Sequence, residues 1–186
     1  MNIKGKLVTL RAIEKEDLEL MREMLNDPEI ENLVVGWAFP VSKYEQEKWY
    51  ENNIGNKNNL RFIVEINDEK KAIGLATLTD IDWKNRKAMH GMKLSNKNYR
   101  GKGFGKDTVM AIMRYAFKEL QLNRLDGCWF KENISSKTMY MKCGWQEEGC
   151  LRKYIFKNGK YRDLITTGIL KEDYEKLVSE NHYWDE

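Results

Sequence analysis

Arg100-Gly101-Lys102-Gly103-Phe104-Gly105 joins a segment that reads as a strand, Ala88 to Leu94, to one that reads as a strong helix, about Lys106 to Leu120. Three glycines in six residues allow a backbone to turn its amides inward and to approach a ligand closely. The helix start adds unpaired N–H groups and the positive end of a dipole, a setting that suits a phosphate or pyrophosphate. Lys93, Lys97, Lys102 and Lys106 would add positive charge. Neither common nucleotide motif is present. A Walker A loop needs Gly at 100 and Ser or Thr at 107, where Arg100 and Asp107 stand, and a dinucleotide fingerprint from Gly101 needs Gly at 106, where Lys106 stands. On the glycines alone, a tight strand-to-helix connection beside solvated lysines is an equal alternative.

Upstream of this turn, Lys6 to Ile13 alternates as a first strand, and Leu18, Met21, Met24 and Leu25 recur at helical spacing until Asn26-Asp27-Pro28 stops them. Ser42 followed by Glu45 is a capping-box pattern and predicts a helix from Lys43 to Ile54. Arg61 to Ile66 and Ala72 to Trp83 read as strands joined by a polar turn, and Lys84-Asn85-Arg86 leads into Ala88 to Leu94. Downstream, Arg124 to Phe130 is a strand and Ser135 to Lys142 a short helix. Trp145 to Phe156 and Tyr161 to Leu170 flank Asn158-Gly159, a strong hairpin signal. The pattern is an α/β mixture around one central sheet of about six to seven mostly antiparallel strands, flanked by helices.

The 186 residues have the size of one ordinary domain, and a single domain over residues 1–186 is expected because no linker-like stretch divides them. Lys plus Arg number 32 against 29 Asp plus Glu, a net charge of +3 that is too mild for a nucleic-acid coat or a polybasic membrane anchor. No apolar run approaches the roughly 18 residues that span a bilayer, and Met1 to Gly5 lacks the apolar segment of a signal peptide. Cys128, Cys143 and Cys150 cannot all pair, and none lies at metal-ligand spacing. The expectation is a reduced, cytoplasmic, metal-free domain with no nucleic-acid or membrane partner.

A second constellation lies downstream: Asn133, Ser136, Tyr140, Lys142, Gly144 and Trp145. Tyr140 falls seven residues after Asn133, two helical turns along one face. Together with Arg100, Gly103 and Gly105, this block resembles the two signature motifs of the GNAT superfamily of acyl-CoA-dependent N-acetyltransferases, in the family's order and spacing. Asp82-Trp83-Lys84-Asn85-Arg86 and the run from Gly149 to Asp163 look like the branch that contains ribosomal-protein N-terminal and spermidine acetyltransferases. The resemblance covers roughly residues 5 to 175.

The resemblance implies the GNAT fold and acetyl-CoA as acyl donor. It implies backbone contacts to the pantetheine arm from Met92, Lys93 and Leu94, and pyrophosphate held by the amides of Arg100, Gly101, Lys102, Gly103, Phe104, Gly105 and Lys106. Asn133 and Lys137 would steady the cofactor, and Tyr140 would lie near its sulfur as general acid. Backbone N–H groups where the family splays its strands would serve the oxyanion. A homodimer is common in this branch. Trp37, Phe39, Trp49 and Tyr50 fall where the family builds its acceptor site, although core packing accounts for such residues as well.

The general base is the weak point. Many members of this branch carry Glu at the position aligned with Met89, and methionine accepts no proton. His90 has a suitable intrinsic pKa near 6.5, yet its side chain points to the other strand face, where a satisfied structural histidine is the simpler reading. Asp80, Asp82 or Glu31 acting through a water are further candidates. Deprotonating a lysine-like amine at pH 7 costs roughly 4.6 kcal/mol, against about 1 to 1.4 for an α-amino group. The lack of an obvious carboxylate therefore favours a peptide N-terminus as acceptor. A polyamine, an amino sugar or an aminoglycoside is the alternative, and a CoA-binding relative without turnover is another, motivated by Met89.

Overall fold

The computed structural model describes residues 1–36 and 39–185. One sheet holds all eight strands: β1 (Ile3–Lys4), β2 (Val8–Arg11), β3 (Leu60–Ile66), β4 (Ala72–Asp82), β5 (Lys87–Leu94), β6 (Arg124–Phe130), β7 (Gln146–Lys157) and β8 (Lys160–Leu170). Their order is β1-β2-β3-β4-β5-β6-β8-β7. Every neighbouring pair is antiparallel except β5 with β6. Eight strands exceed the six to seven expected because Ile3–Lys4 forms an additional short strand ahead of the one expected over Lys6 to Ile13, which itself shortens to Val8–Arg11. Gly5 N–H bonds Val8 O (2.7 Å) and closes the hairpin between the two.

The helices are α1 (Leu18–Asn26), α2 (Pro28–Glu31), α3 (Lys43–Asn53), α4 (Phe104–Arg114), α5 (Ile134–Lys142) and α6 (Lys171–Asn181). Strand alternation divides them between the two faces. Ala76, Leu78, Ala88, Leu125, Trp129 and Ile169 turn to one face and pack with Val109, Ile112 and Met113 of α4, Tyr140 of α5 and Tyr174 of α6. Ile63 and Leu75 turn to the other and meet Leu18, Met21 and Met24 of α1 and Ile30 of α2. Trp49 and Tyr50, both partly buried, pack against this second cluster; Phe39 is exposed, and Trp37 lies outside the described residues.

The Ser42 capping box forms as its sequence dictates, the hydroxyl accepting from Glu45 N–H (3.2 Å) while the Glu45 carboxylate accepts from Ser42 N–H (2.8 Å). The helix expected over Lys106 to Leu120 starts two residues earlier, at Phe104, and its last turn over Tyr115–Glu119 widens, with Leu120 N–H reaching back to Tyr115 O (3.1 Å). The helix α6 was not anticipated, although Tyr174, Leu177 and Val178 have helical spacing and Asp173 caps its start by accepting from Leu170 N–H (3.0 Å). No helix among the described residues is long and apolar enough to cross a membrane.

Candidate active site

β5 and β6 pair only at Lys87↔Arg124, Ala88↔Leu125 and Met89↔Asp126. Beyond Met89, β5 stays on β4 as far as Leu94, while β6 stays on β8 as far as Phe130. The two strands therefore part, and a gap opens in mid-sheet. The pattern of hydrogen bonds fixes which amides face it. Ser95 N–H donates to Ile73 O on the β4 side (2.8 Å). In an antiparallel pair such groups alternate, so Lys93 and Gly91 also bond towards β4, while the N–H groups of Met92 and Leu94 turn into the gap. The expected set Met92, Lys93 and Leu94 is thus corrected. Met92 and Leu94 can meet a chain laid in the gap; the main chain of Lys93 is committed to Leu75.

Lys93 is also misplaced for a phosphate. Its side chain shares a face with Leu75 and with α1, and burial lowers the pKa of its ammonium. The remaining cations of the turn fare better. Arg100, Lys102 and Lys106 are exposed, whereas Lys97 forms a loose surface pair with Glu29 (3.7 Å). Gly103 caps α4 in the left-handed region (φ 88°), and no side chain caps the helix in its place. A side chain at 103 would be strained by that φ, and its Cβ would press on Leu7 Cδ1 at 3.0 Å. The turn and the first amides of α4 remain open to an anion, and the residues present fit the diphosphate of a nucleotide coenzyme.

Tyr140 of α5 is 6% exposed and stands in an aromatic wall beside the gap. Its ring stacks on Trp129 (centroids 5.6 Å) and meets Trp145 edge-on (5.0 Å) and His90 (5.8 Å). Burial raises the phenol above its ordinary value of 10, so the proton stays on it throughout the neutral range. Asn133 is the N-cap of α5. Its Oδ1 accepts from Ser136 N–H (3.1 Å) and its Nδ2 reaches Leu33 O (3.4 Å). The asparagine thus holds the helix that carries Tyr140, and its amide is already engaged there. Lys137 is engaged as well, in an ion pair with Glu147 (2.9 Å).

His90 is corrected as a base. It is 3% exposed, and its Nδ1 lies 2.9 Å from Thr77 O. A carbonyl only accepts, so Nδ1 carries the proton and Nε2 is a buried lone pair with no partner among the described residues. Burial lowers its pKa to about 4, which leaves the ring neutral at pH 7 and a poor proton acceptor. Two of the other candidates are tied down too. Asp82 accepts from Asn85 at both oxygens, Asp80 lies at the exposed end of β4, and Glu31 is paired with the buried Lys157 ammonium (2.6 Å).

The register supplies a carboxylate that the sequence reading missed. Met89, 38% exposed, is paired across the last rung with Asp126, so both side chains project to the face of α1 at the mouth of the gap. Asp126 is half-buried and accepts from Arg124 Nε (2.6 Å), and the same guanidinium bonds Glu148. Only the pairing of two strands 37 positions apart reveals this, and no local motif announces it.

Further along the same face, Lys157 donates to Glu31 O and Val34 O (2.5 and 2.7 Å), and Arg162 to Asn32 O (2.7 Å) and Glu132 (2.5 Å). These bonds pin the segment after α2 over the wide end of the gap. A separate groove of about 780 Å³ lies between α1 and α3 and shares no residue with the gap. Glu16, Glu19, Glu47 and Glu51 line it opposite Lys15, Arg22 and Lys43.

The fold is matched among known proteins. Residues 8–146 match the family model described as acetyltransferase (GNAT) domain. An uncharacterized N-acetyltransferase of Bacillus subtilis derived from the SPbeta prophage, YokL, is 32% identical over 92% of this chain and 94% of its own. The spermidine N(1)-acetyltransferase of Vibrio cholerae is 30% identical over 90% of this chain and 95% of its own. A crystal structure of the V. cholerae spermidine N-acetyltransferase with CoA and spermine superposes with a TM-score of 0.86, covering 92% of this chain and 99% of that one at 30% identity. The ribosomal protein uS5-alanine N-acetyltransferase of Escherichia coli is 24% identical over 58% of this chain and 55% of its own. With the family model spanning most of its length and relatives of 30% identity or more matched almost end to end, this chain belongs to the GNAT family and is an acetyl-CoA-dependent N-acetyltransferase.

Proposed function

We propose that the chain transfers the acetyl group of acetyl-CoA directly to a primary amine of a polyamine, within the gap between β5 and β6. The observation that carries the reaction is the parting of these strands beyond Met89 and Asp126, which leaves β5 amides without a sheet partner. The coenzyme brings an acetyl group activated as a thioester. Its diphosphate is held by the turn Gly101 to Lys106, and its extended arm bonds Met92 and Leu94 much as an added strand would. Main-chain N–H groups of β5 donate to the carbonyl oxygen as charge builds on it.

Tyr140 hydrogen-bonds the departing sulfur. A phenol near pKa 10 is a weaker acid than a thiol near 8.5, so full transfer would cost about 2 kcal/mol even before burial raises the phenol further. Its contribution is accordingly a donated hydrogen bond; as the C–S bond breaks, the second proton on the acylated nitrogen passes to the sulfur, which leaves as the CoA thiol. Asp126 and Glu148 share the single Arg124 guanidinium, so this cluster keeps a surplus negative charge although Asp126 Oδ1 is bonded. Asp126 draws the ammonium of the acceptor to the mouth of the gap and, through a water, receives its proton. This answers the objection that Met89 raises against a lysine-like amine.

The polyamine is favoured over the other amines by the likeness, over nearly the full length of both chains, to an enzyme named for spermidine and holding spermine. A peptide α-amino group is the second reading, favoured by the pairing of Glu31 with Lys157 and of Glu132 with Arg162, which leaves little surplus negative charge beside the gap.

Release of free thiol from acetyl-CoA, measured against spermidine, spermine, Ala- and Ser-initiated peptides and an amino sugar, tests the proposal. Saturable turnover with a polyamine is expected. Turnover with peptides alone would replace the acceptor, and CoA binding without thiol release for any amine would leave a binding module. Asp126→Asn should lower kcat/KM for the amine about ten-fold while the KM for acetyl-CoA holds.

A further inference from the structure

Asp107 is a fully buried carboxylate in the first turn of α4, next to the last residue of the glycine turn. It accepts four hydrogen bonds. Three come from the main-chain N–H groups of Lys6 (2.9 Å), Leu7 (2.7 Å) and Val8 (2.9 Å), and the fourth from the Tyr183 hydroxyl (2.7 Å). The β1–β2 hairpin wraps this carboxylate so closely that a Cβ at Gly5 would overlap it. Asp107 N–H in turn bonds Gly103 O (2.9 Å), so one residue ties the hairpin, the C-terminal segment and the glycine turn together.

The segment after α6 is built to reach this point. His182 takes a left-handed turn (φ 52°), Asn181 accepts from Tyr183 N–H (2.9 Å), and the Trp184 ring lies against the Arg114 guanidinium (3.7 Å) while its N–H bonds Tyr174 Oη (2.8 Å). The ammonium groups of Lys6 and Lys106 both lie over the Tyr183 ring, at 5.6 and 5.2 Å from its centroid. Lys106 belongs to the turn read as the diphosphate site.

We infer that Tyr183 is a positioning residue for the coenzyme, acting through Asp107 and Lys106 to hold the glycine turn in its anion-binding form. The inference rests on the reading of Gly101 to Lys106 as the diphosphate site. Removing the hydroxyl takes one of four donors from a buried carboxylate whose residue bonds the turn through its own main-chain N–H to Gly103 O. Affinity for the phosphate end of the coenzyme then falls, while the chemistry at the sulfur, held by β5 and α5, is unaffected.

Tyr183→Phe separates this from a purely structural role. The variant should raise the Kd for CoA and the KM for acetyl-CoA about five-fold, with kcat at saturation within about two-fold. With acetyl-pantetheine, which lacks the diphosphate, kcat/KM should equal that of the unaltered protein. Equal losses with both donors would make Tyr183 a general stability residue and overturn the inference, as would an unchanged Kd for CoA. Gly103→Val, measured alongside, tests the underlying site. If it too binds CoA normally while folded, the diphosphate reading fails; if it alone weakens CoA, that reading stands and the role of Tyr183 is refuted.

Discussion

Tyr140 illustrates how much one residue type at one spacing conveys and where it stops. The sequence places a phenol two turns after Asn133, and the structure puts it, nearly covered, against Trp129 and beside the gap. Its burial decides what it does. A raised phenol pKa suits a neutral hydrogen-bond donor and not a shuttle that ionises on each turnover. Tyr140→Phe should therefore lower kcat about 10- to 100-fold and leave the Kd for CoA within two-fold, as steady-state rates and calorimetry would show. Because the phenol stays protonated, an alkaline fall in kcat between pH 8 and 10 is not expected from Tyr140; a limb in that range that vanishes in the phenylalanine variant would contradict this assignment. Other site residues were legible only by type. Asn133 and Lys137 lie where the motif implies, but one caps α5 and the other pairs with Glu147. The Asp126 carboxylate became visible only when the register set it beside Met89.

Among the elements, the turn before α4 and the strand before it were the most readable, because glycines and a helical stripe of Val109, Ile112 and Met113 are local signals. The Asn158-Gly159 hairpin was equally plain and forms with both residues at positive φ (52° and 76°). What escaped were features that depend on distant partners. The turn after Gly5, which adds Ile3–Lys4 ahead of the expected first strand, follows from Asp107, about a hundred residues away, which collects the amides of Lys6, Leu7 and Val8. The helix α6 has a weak amphipathic pattern and owes its place to Tyr174 and Leu177 packing against the sheet. Gly5→Ala should consequently behave as a core lesion. Overlap with the Asp107 carboxylate forces the hairpin off its anchor and should cost about 2 kcal/mol or more, read as a lowered midpoint in urea. A midpoint unchanged from that of the parent would mean that the hairpin is not fixed by this contact.

At the scale of the molecule, the sheet works as two stacks, β1 to β5 and β6 to β8, joined at three rungs and open beyond them. The helices of one face carry the glycine turn and Tyr140, and those of the other pack on Ile63 and Leu75. His90 ties stability to pH in this arrangement. Its folded pKa of about 4 lies below the 6.5 of the unfolded chain, so between these values the unfolded state binds the extra proton. Its contribution is complete above pH 6.5 and is lost as pH falls towards 4, and the loss should shrink in His90→Gln when urea midpoints at pH 7 and pH 5 are compared. The account as a whole stands on where the coenzyme lies. A crystal structure of the protein with CoA tests this most directly: the diphosphate should rest on the amides of Gly101 to Lys106, the arm between β5 and β6 against Met92 and Leu94, and the sulfur within about 4 Å of the Tyr140 hydroxyl. A coenzyme bound elsewhere, or a sulfur facing away from Tyr140 with the gap empty, would contradict it.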